Sequence, residues 1–357
     1  MGIRSAWERL LEENGPFPPF LSHDWFQCCL NCYDEQKRIF ILVVTDGSET
    51  VGIAPLWRYG DSVRRIKVRK IGFITGPDTP FVDFIVHKDR RGEILKTIVD
   101  HLYHGRGGTW EVLTLGQWPE ESPNYAILKE ILSGQHKNFF KSPSTMTPYI
   151  PIRGNWDAFL QTRPVRFRKT RRNIINRMGK LPKTQIQCHR QDTTGDVFKE
   201  ILAVSEKSWK AQKEISISSW KEARQFFQAF TGLAGNRGWL LIWLLKTDGI
   251  PIAMEYDLEC GGKVYALRAD FDEAYGEYSP GAYLEYQIIK SLFDEGYLEY
   301  NTGAGLNSYK LNWTDQIRQN VALHVCNRNL RGEMIYQLEN RVVPFLKRIR
   351  DRKWRSR

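Results

Sequence analysis

Two patterns of apolar residues alternate along this chain: short β-branched runs that stop at glycine-bearing turns, and longer stretches in which apolar residues return every three or four positions. The first pattern occurs twice in nearly the same form. LVVTDGSETVGIAPL surrounds Asp46-Gly47 and WLLKTDGIPIAMEY surrounds Asp248-Gly249, each predicting a β-hairpin whose glycine supplies a positive φ. The order of elements after each hairpin also repeats. Downstream of the first come further strands, a helix from about Asp89 carrying Ile94, Leu95, Ile98, Val99 and Leu102 on one face, and a strand Trp110 to Leu115. Downstream of the second come a strand Lys263 to Phe271, a helix from Pro280 carrying Leu284, Ile288, Ile289, Leu292 and Phe293, and a strand Tyr297 to Asn301. The two turns lie 202 residues apart (Asp46 to Asp248), a spacing suited to two α/β domains rather than a solenoid. Chance recurrence of Asp-Gly in turns is the alternative, and the shared downstream order weighs against it.

The remaining elements follow from the same reading. An amphipathic helix opens the chain, and Ser22 N-caps a helix to about Asp34. Strands are predicted over Ile39 to Val44, Val51 to Trp57, Arg65 to Phe73 and, after a Gly76 to Pro80 loop, Phe81 to Val86. A helix Glu120 to Leu132 and extended segments ending near Ile152 close the first half. A basic helix with Ile174, Ile175, Met178 and Leu181 on one face connects to helices Thr194 to Lys210 and Ser219 to Asn236. A meander with a Gly261-Gly262 turn, a strand Asn320 to Val325 and a long basic helix after Asn329 complete the chain.

Composition narrows the class. With 357 residues, 41% hydrophobic and 13% aromatic, the chain can bury two sizeable cores. No apolar stretch reaches the length of a membrane span and the N-terminus lacks the form of a signal peptide, so a cytoplasmic location is expected, with the inner face of the membrane as a further option. Cys28, Cys29 and Cys32 crowd one helix near His23; buried thiols fit that segment better than a metal site, and no metal is expected. The net charge of +11 is concentrated. Arg163 to Lys183 holds nine Lys or Arg, with no carboxylate between Asp157 and Asp192, and 341–357 carries a net +7. Such segments suit phosphate contacts, although solvated helix faces explain them equally well.

Three places carry chemistry. In YGEYSPGAYLEYQ, Ser279 stands as N-cap, Pro280 at the first helical position and Gly281 where a ligand could approach the backbone; a helix start of this kind presents free N–H groups suited to a phosphate. A well-capped helix with no ligand is the plain alternative. In GAGLNSYKLNW, Gly303 and Gly305 open a loop at the end of a strand, and Tyr309, Lys310 and Trp313 follow; Lys310 can neutralise a developing oxyanion and Tyr309 can protonate a leaving group, unless the aromatics are core. In TGPDTPFVDF, Asp83 interrupts an apolar strand, and a carboxylate there needs a partner or a task. Arg268 and Asp270 share a face of one strand with Glu255 on the next, and these too can line a site.

With the Asp-Gly hairpin, the Ser-Pro-Gly helix start and Gly-x-x-x-Tyr-Lys in this order, the second half resembles the GNAT acyltransferases of the cellulose-biosynthesis-protein-like (CelD/BcsL) type, relatives of the Fem aminoacyl transferases built from two GNAT-like domains in tandem. The first half resembles them from the LSHDWF helix through Ala54-Pro55-Leu56 to Asp83. The resemblance implies an α/β fold of two tandem domains, 1–152 with an acceptor groove and 153–357 with the donor site, each a mixed, mainly antiparallel sheet flanked by helices. It implies direct transfer from acyl-CoA, acetyl-CoA in the first instance, to an amine or hydroxyl of a small-molecule, sugar or cell-envelope acceptor. Donor phosphates would meet Ser279, Pro280, Gly281 and Ala282; Lys310 and Tyr309 would lie at the reacting centre; Asp83 or Glu255 would accept the proton; Arg268, Asp270 and Trp313 would contact substrate. Two alternatives remain: an aminoacyl-tRNA-dependent transferase using the basic segment 163–181, and a non-catalytic module that holds an anionic polymer.

Overall fold

The structure is a computed structural model and describes residues 3–32, 37–104 and 109–343. Helices α1 (Ile3–Glu13) and α2 (His23–Asn31) precede three antiparallel strands, β1 (Arg38–Asp46), β2 (Glu49–Val63) and β3 (Ile66–Phe73). Ser22 caps α2 by accepting from Trp25 N at 3.1 Å. Then come β4 (Ile85–Val86), α3 (Arg91–His104), β5 (Val112–Pro119), α4 (Pro123–Gly134) and β6 (Asn138–Pro151). The second half begins with α5 (Trp156–Gln161), α6 (Val165–Met178), β7 (Gln185–His189), α7 (Asp196–Glu206), α8 (Trp209–Gln212) and α9 (Lys221–Asn236). It continues through the meander β8 (Leu240–Thr247), β9 (Ile250–Cys260) and β10 (Lys263–Phe271), then α10 (Pro280–Asp294), β11 (Glu299–Asn301), α11 (Ser308–Leu311), β12 (Ile317–Cys326) and α12 (Leu330–Gln337).

The internal repeat is visible as topology. β3 runs parallel to β5 across α3, and β10 runs parallel to β11 across α10. The next strand of each half crosses to the other: β12 pairs with β5 and β6, while β6 pairs with β12 and β11. All the strands therefore join one mixed sheet in the order β1-β2-β3-β5-β12-β6-β11-β10-β9-β8-β7, with β4 beside β2. A division at 152/153 falls just past β6, whose partners both come from the second half.

The apolar faces expected for α3 and α10 are buried in full, and aromatic contacts tie the halves, with Trp25 against Phe226 and Phe230 at centroid distances of 4.7 and 4.9 Å. The two Thr-Asp-Gly hairpins differ in detail. A bulge at Val44/Thr45 puts Gly47-Ser48 at the first turn, whereas Asp248 and Gly249 (φ 48° and 80°) form the second as the two positive-φ residues that such a turn requires.

Several expected boundaries shift. The strand Phe81 to Val86 shrinks to β4, because Val82 N turns to Gln117 O and Phe84 N to the Asp83 carboxylate instead of a ladder. The helix Thr194 to Lys210 breaks into α7 and α8, where Ser208 starts a new cap. α2 ends at Asn31, short of Asp34, and 33–36 lie outside the described residues. α12 passes into a wide turn at Leu338–Val342; the basic segment from 344 on lies outside them too.

Candidate active site

β10 and β11 pair only through Lys263↔Glu299, Val264↔Tyr300 and Tyr265↔Asn301. A register shift at Ala266/Arg268 follows in β10, and beyond it β9 is the strand's only strand partner among the described residues. The chain leaves β11 through a loop pressed against this point. Gly303 has φ +78°, and a Cβ there would lie 2.8 Å from Ala266 O, so both backbone conformation and space demand glycine. Thr302 Oγ1 donates to Pro148 O (2.9 Å) and Gly305 N to Met146 O (2.8 Å), which ties the loop to β6.

Beside the loop lies a buried polar cluster. Alternation on β9 turns Met254, Tyr256 and Leu258 toward the core beneath α9 and sends Glu255 and Asp257 to the side covered by α10. Glu255 is buried and accepts a hydrogen bond from Tyr300 Oη of β11. Loss of water pushes its carboxyl up to about 7, with Glu285 adding repulsion and Lys310 opposing the rise. Asp257 is fully buried, neither of its oxygens has a well-formed hydrogen bond, and burial together with the neighbouring Glu255 drives its carboxyl well above the usual range. Glu285 of α10 faces Arg171 of α6 at 3.4 Å, and Arg171 also donates to Ala282 O at 2.9 Å.

Lys310, in α11, joins this cluster. Its ammonium is buried and donates to Gly303 O (2.9 Å) and Ala304 O (2.8 Å). Burial lowers its pKa to about 8, against the pull of Glu285 and Glu255, so the group is still charged near neutrality. Lys310 thus braces the glycine loop as well as charging the site. We expect Lys310→Met to lose about 2 kcal/mol of stability, because two carbonyls lose a charged donor; a chemical denaturation midpoint equal to the parent's would show that the brace is dispensable. Tyr309 next to it is half exposed, and burial of the rest of the ring with Glu285 nearby raises its phenol to about 12.

Asp270 and Arg268 do not line the site with Glu255 as expected: they stand opposite Met254 and Tyr256 in the register, so their side chains leave β10 on the face away from the Glu255 cluster. Asp270 is buried, accepts from Ser205 Oγ (3.1 Å) and Ser208 Oγ (3.2 Å), and pairs with Lys210 Nζ at 3.0 Å. Lys210 is close enough to Lys310 to depress it further. Arg268 pairs with Asp78 of the first half and donates to Ile215 O at 2.6 Å.

The helix start of α10 departs from expectation. Ser279 occupies the N-cap position in a left-handed conformation (φ 56°) without a side-chain cap, and its Oγ instead accepts from Arg177 Nη2 of α6 at 3.1 Å. Arg177 Nη1 also holds Glu277 O at 2.7 Å, which adds a guanidinium to the positive end of the helix. A cavity of ≈ 520 Å³ adjoins it, lined by Thr170, Asn173, Asn176, Arg177 and Lys180. Pro280 is buried at the first turn. A Cβ on Gly281 would press on Phe271 Cδ1 at 3.2 Å, so this glycine admits close packing of α10 on β10 rather than opening space for a ligand.

Two residues expected at the site are elsewhere in purpose. The Asp83 carboxylate accepts from Trp118 Nε1 (2.9 Å), Ser122 Oγ (2.5 Å), Asn124 Nδ2 (2.9 Å) and Phe84 N (2.7 Å), a set that fastens the start of α4 and shares no member with the Glu255 cluster. Trp313 is fully buried against Phe167 (4.7 Å) and under the Arg171 guanidinium (4.8 Å), a core aromatic. Among the described residues no group of three or more His, Cys, Asp or Glu is arranged to hold a metal.

Residues 166–311, which contain α6, the second meander, α10 and the glycine loop, match the Acetyltransferase (GNAT) domain family. The whole chain is similar in fold to the solved structure of FemX, at 13% identity and a TM-score of 0.62, over 95% of this chain and 98% of that one. It is similar as well to the C-terminal domain of a putative lysylphosphatidylglycerol synthetase from Agrobacterium fabrum, at 12% identity and 0.55, over 95% and 96%. Comparison with curated proteins finds no match. The fold is therefore a mixed α/β, GNAT-like one, and the domain match supports an acyltransferase.

Proposed function

We propose that the chain is an N- or O-acyltransferase of the CelD/BcsL type, which moves an acyl group from acyl-CoA, acetyl-CoA first, to an amine or hydroxyl of a small-molecule, sugar or cell-envelope acceptor. The observation that carries this reading is the carboxyl of Glu255, raised to about 7 and held by Tyr300 beside Lys310, where β10 loses its β11 partner. A base with a pKa near the working pH suits removal of a proton from an attacking amine. Donor phosphates would meet the helix start Ser279 to Ala282, where Gly281 and Ala282 carry the N–H groups that can donate because Pro280 has none and Ser279 N is bound to Gly276 O, together with the Arg177 guanidinium; the freed edge of β10 would offer N–H groups to the thioester oxygen. The acceptor nitrogen or oxygen attacks the carbonyl carbon and the C–S bond breaks. Glu255 takes the acceptor's proton, directly or through water, and Tyr309 gives one to the departing thiolate. Segment 1–152 would shape the acceptor side, with Asp78 reaching Arg268, and 153–357 would hold the donor.

Calorimetry with coenzyme A tests the donor site. Arg177→Ala is expected to weaken binding about tenfold or more, the loss of one charge-assisted contact. Unchanged affinity in the variant would move the phosphates elsewhere, and absence of binding in the parent would remove the acyl-CoA donor.

The second reading, an aminoacyl-tRNA donor, is favoured by one feature. Arg166, Lys169, Arg172 and Arg177 are exposed along α6, with Lys180 exposed just past its end, while Phe167, Ile174 and Met178 are buried on its other side. The likeness in fold to FemX suits this reading as well. Binding of tRNA through this face should fall steeply with salt, and its absence at low salt would end the alternative.

A further inference from the structure

α12 is held by its inner face and open on its outer one. Ile335 is buried with Val68, Val112 and Cys326, while Leu330 is 80% exposed, Met334 46% and Val342 43%. With Leu338 between them, and with Glu333 and Gln337, which bond to each other, these residues line a mainly apolar groove of ≈ 340 Å³ along the outside of the helix and its wide final turn. The groove is bordered by positive charge. Arg64 pairs with Glu339 and Arg69 with Glu111, whereas Arg65, Lys67, Arg331 and Arg341 form no ion pair among the described residues. A second cavity of ≈ 650 Å³, lined in part by Lys67, Arg69 and Arg331, opens beside Leu330.

We infer that this face docks on an anionic lipid bilayer. A helix lying in the interface buries an apolar stripe among the acyl chains and keeps cations at the level of the headgroups. Leu330, Met334, Leu338 and Val342 supply the stripe, and Lys67, Arg331 and Arg341 stand where headgroup phosphates would be. Charge complementarity favours lipid over a second copy of the chain, since two such faces would bring like charges together.

Sedimentation with vesicles tests the inference on the full chain. Binding is expected to phosphatidylcholine vesicles containing phosphatidylglycerol, with little to phosphatidylcholine alone and a strong decline in high salt. Leu330→Asp with Met334→Asp, at two exposed positions, should reduce partitioning at least tenfold without changing the melting temperature. Arg331→Glu should produce a smaller loss. Absence of binding in the parent, or full binding by the double variant, overturns the assignment. So does a dimer in gel filtration that the double variant abolishes, which would name a second copy as the occupant. The oxidation rate of Met334 separates the remaining case: protection without vesicles, lost on truncation after Val343, would mean that the chain's own terminal segment covers the groove.

Discussion

Glu255→Gln is expected to slow acyl transfer by a factor on the order of 10²–10⁴, the usual contribution of a positioned general base, and to change the response to pH in two ways. In the parent the base acts in its ionised form, so the rate should climb as pH rises through about 7, where the carboxyl titrates; the residual rate of the variant should lack that rise. Stability should move in the opposite direction. A carboxyl whose folded pKa exceeds its unfolded one holds its proton longer in the folded state, so its contribution is present below the unfolded value and is lost as pH climbs toward 7 and beyond. The parent should therefore lose melting temperature relative to Glu255→Gln between about pH 5 and pH 8, a comparison that needs no substrate. Coenzyme A release from acetyl-CoA in the presence of assorted amines would give the rate. A variant that keeps the parent's turnover and pH profile would remove Glu255 from the chemistry, whatever its effect on melting.

The second large effect is expected at Arg171. Its guanidinium is buried among Phe167, Trp313, Ala282 O and Glu285, and links α6 to α10. Arg171→Met keeps much of the bulk but leaves the Glu285 carboxylate without its cation, and breaking a buried pair from one side costs about 3–5 kcal/mol. Adding Glu285→Leu to the Met variant should recover a large part of that loss, because the stranded charge is gone. Urea denaturation of the two single variants and the double variant measures the coupling. Losses that simply add would show that the two side chains act independently.

Periodicity carried most of the architecture, since the faces of α3 and α10 and both meanders depend on local spacing, which the sequence displays directly. The strand exchange was not legible, because nothing local marks β6 and β12 as partners of distant strands. Of the candidate site, Tyr309 and Lys310 were legible as polar residues after a glycine-bearing loop and Glu255 as a carboxylate on the strand beside β10, whereas Arg268 and Asp270, expected with them, leave β10 on the opposite face. Asp257, Glu285, Tyr300, Arg171, Lys210 and Arg177 were missed. Two of these had a signal: Arg171 takes a place in the stripe Phe167, Ile174, Met178, and Asp257 follows Glu255 at strand alternation within an apolar run. Asp83 and Trp313 carried the same polar or aromatic signal yet turned out structural, since sequence shows that a buried carboxylate needs partners without showing that four donors already surround it.

The crossing of β6 and β12 also bears on how the chain reaches its native state. β5 acquires its outer neighbour only when Ile317–Cys326 has been synthesised, about two hundred residues later, so an N-terminal fragment leaving the ribosome carries an open, hydrogen-bond-hungry strand edge for most of translation. Such an edge recruits other chains, and pairing over so long a separation is slow. Refolding should therefore favour dilute solution and lose yield with concentration, and fragments cut near residue 152 should aggregate rather than fold as independent units. A nick in the loop after β11, by contrast, should leave the two pieces held together by β12, which lies between β5 and β6 of the longer piece.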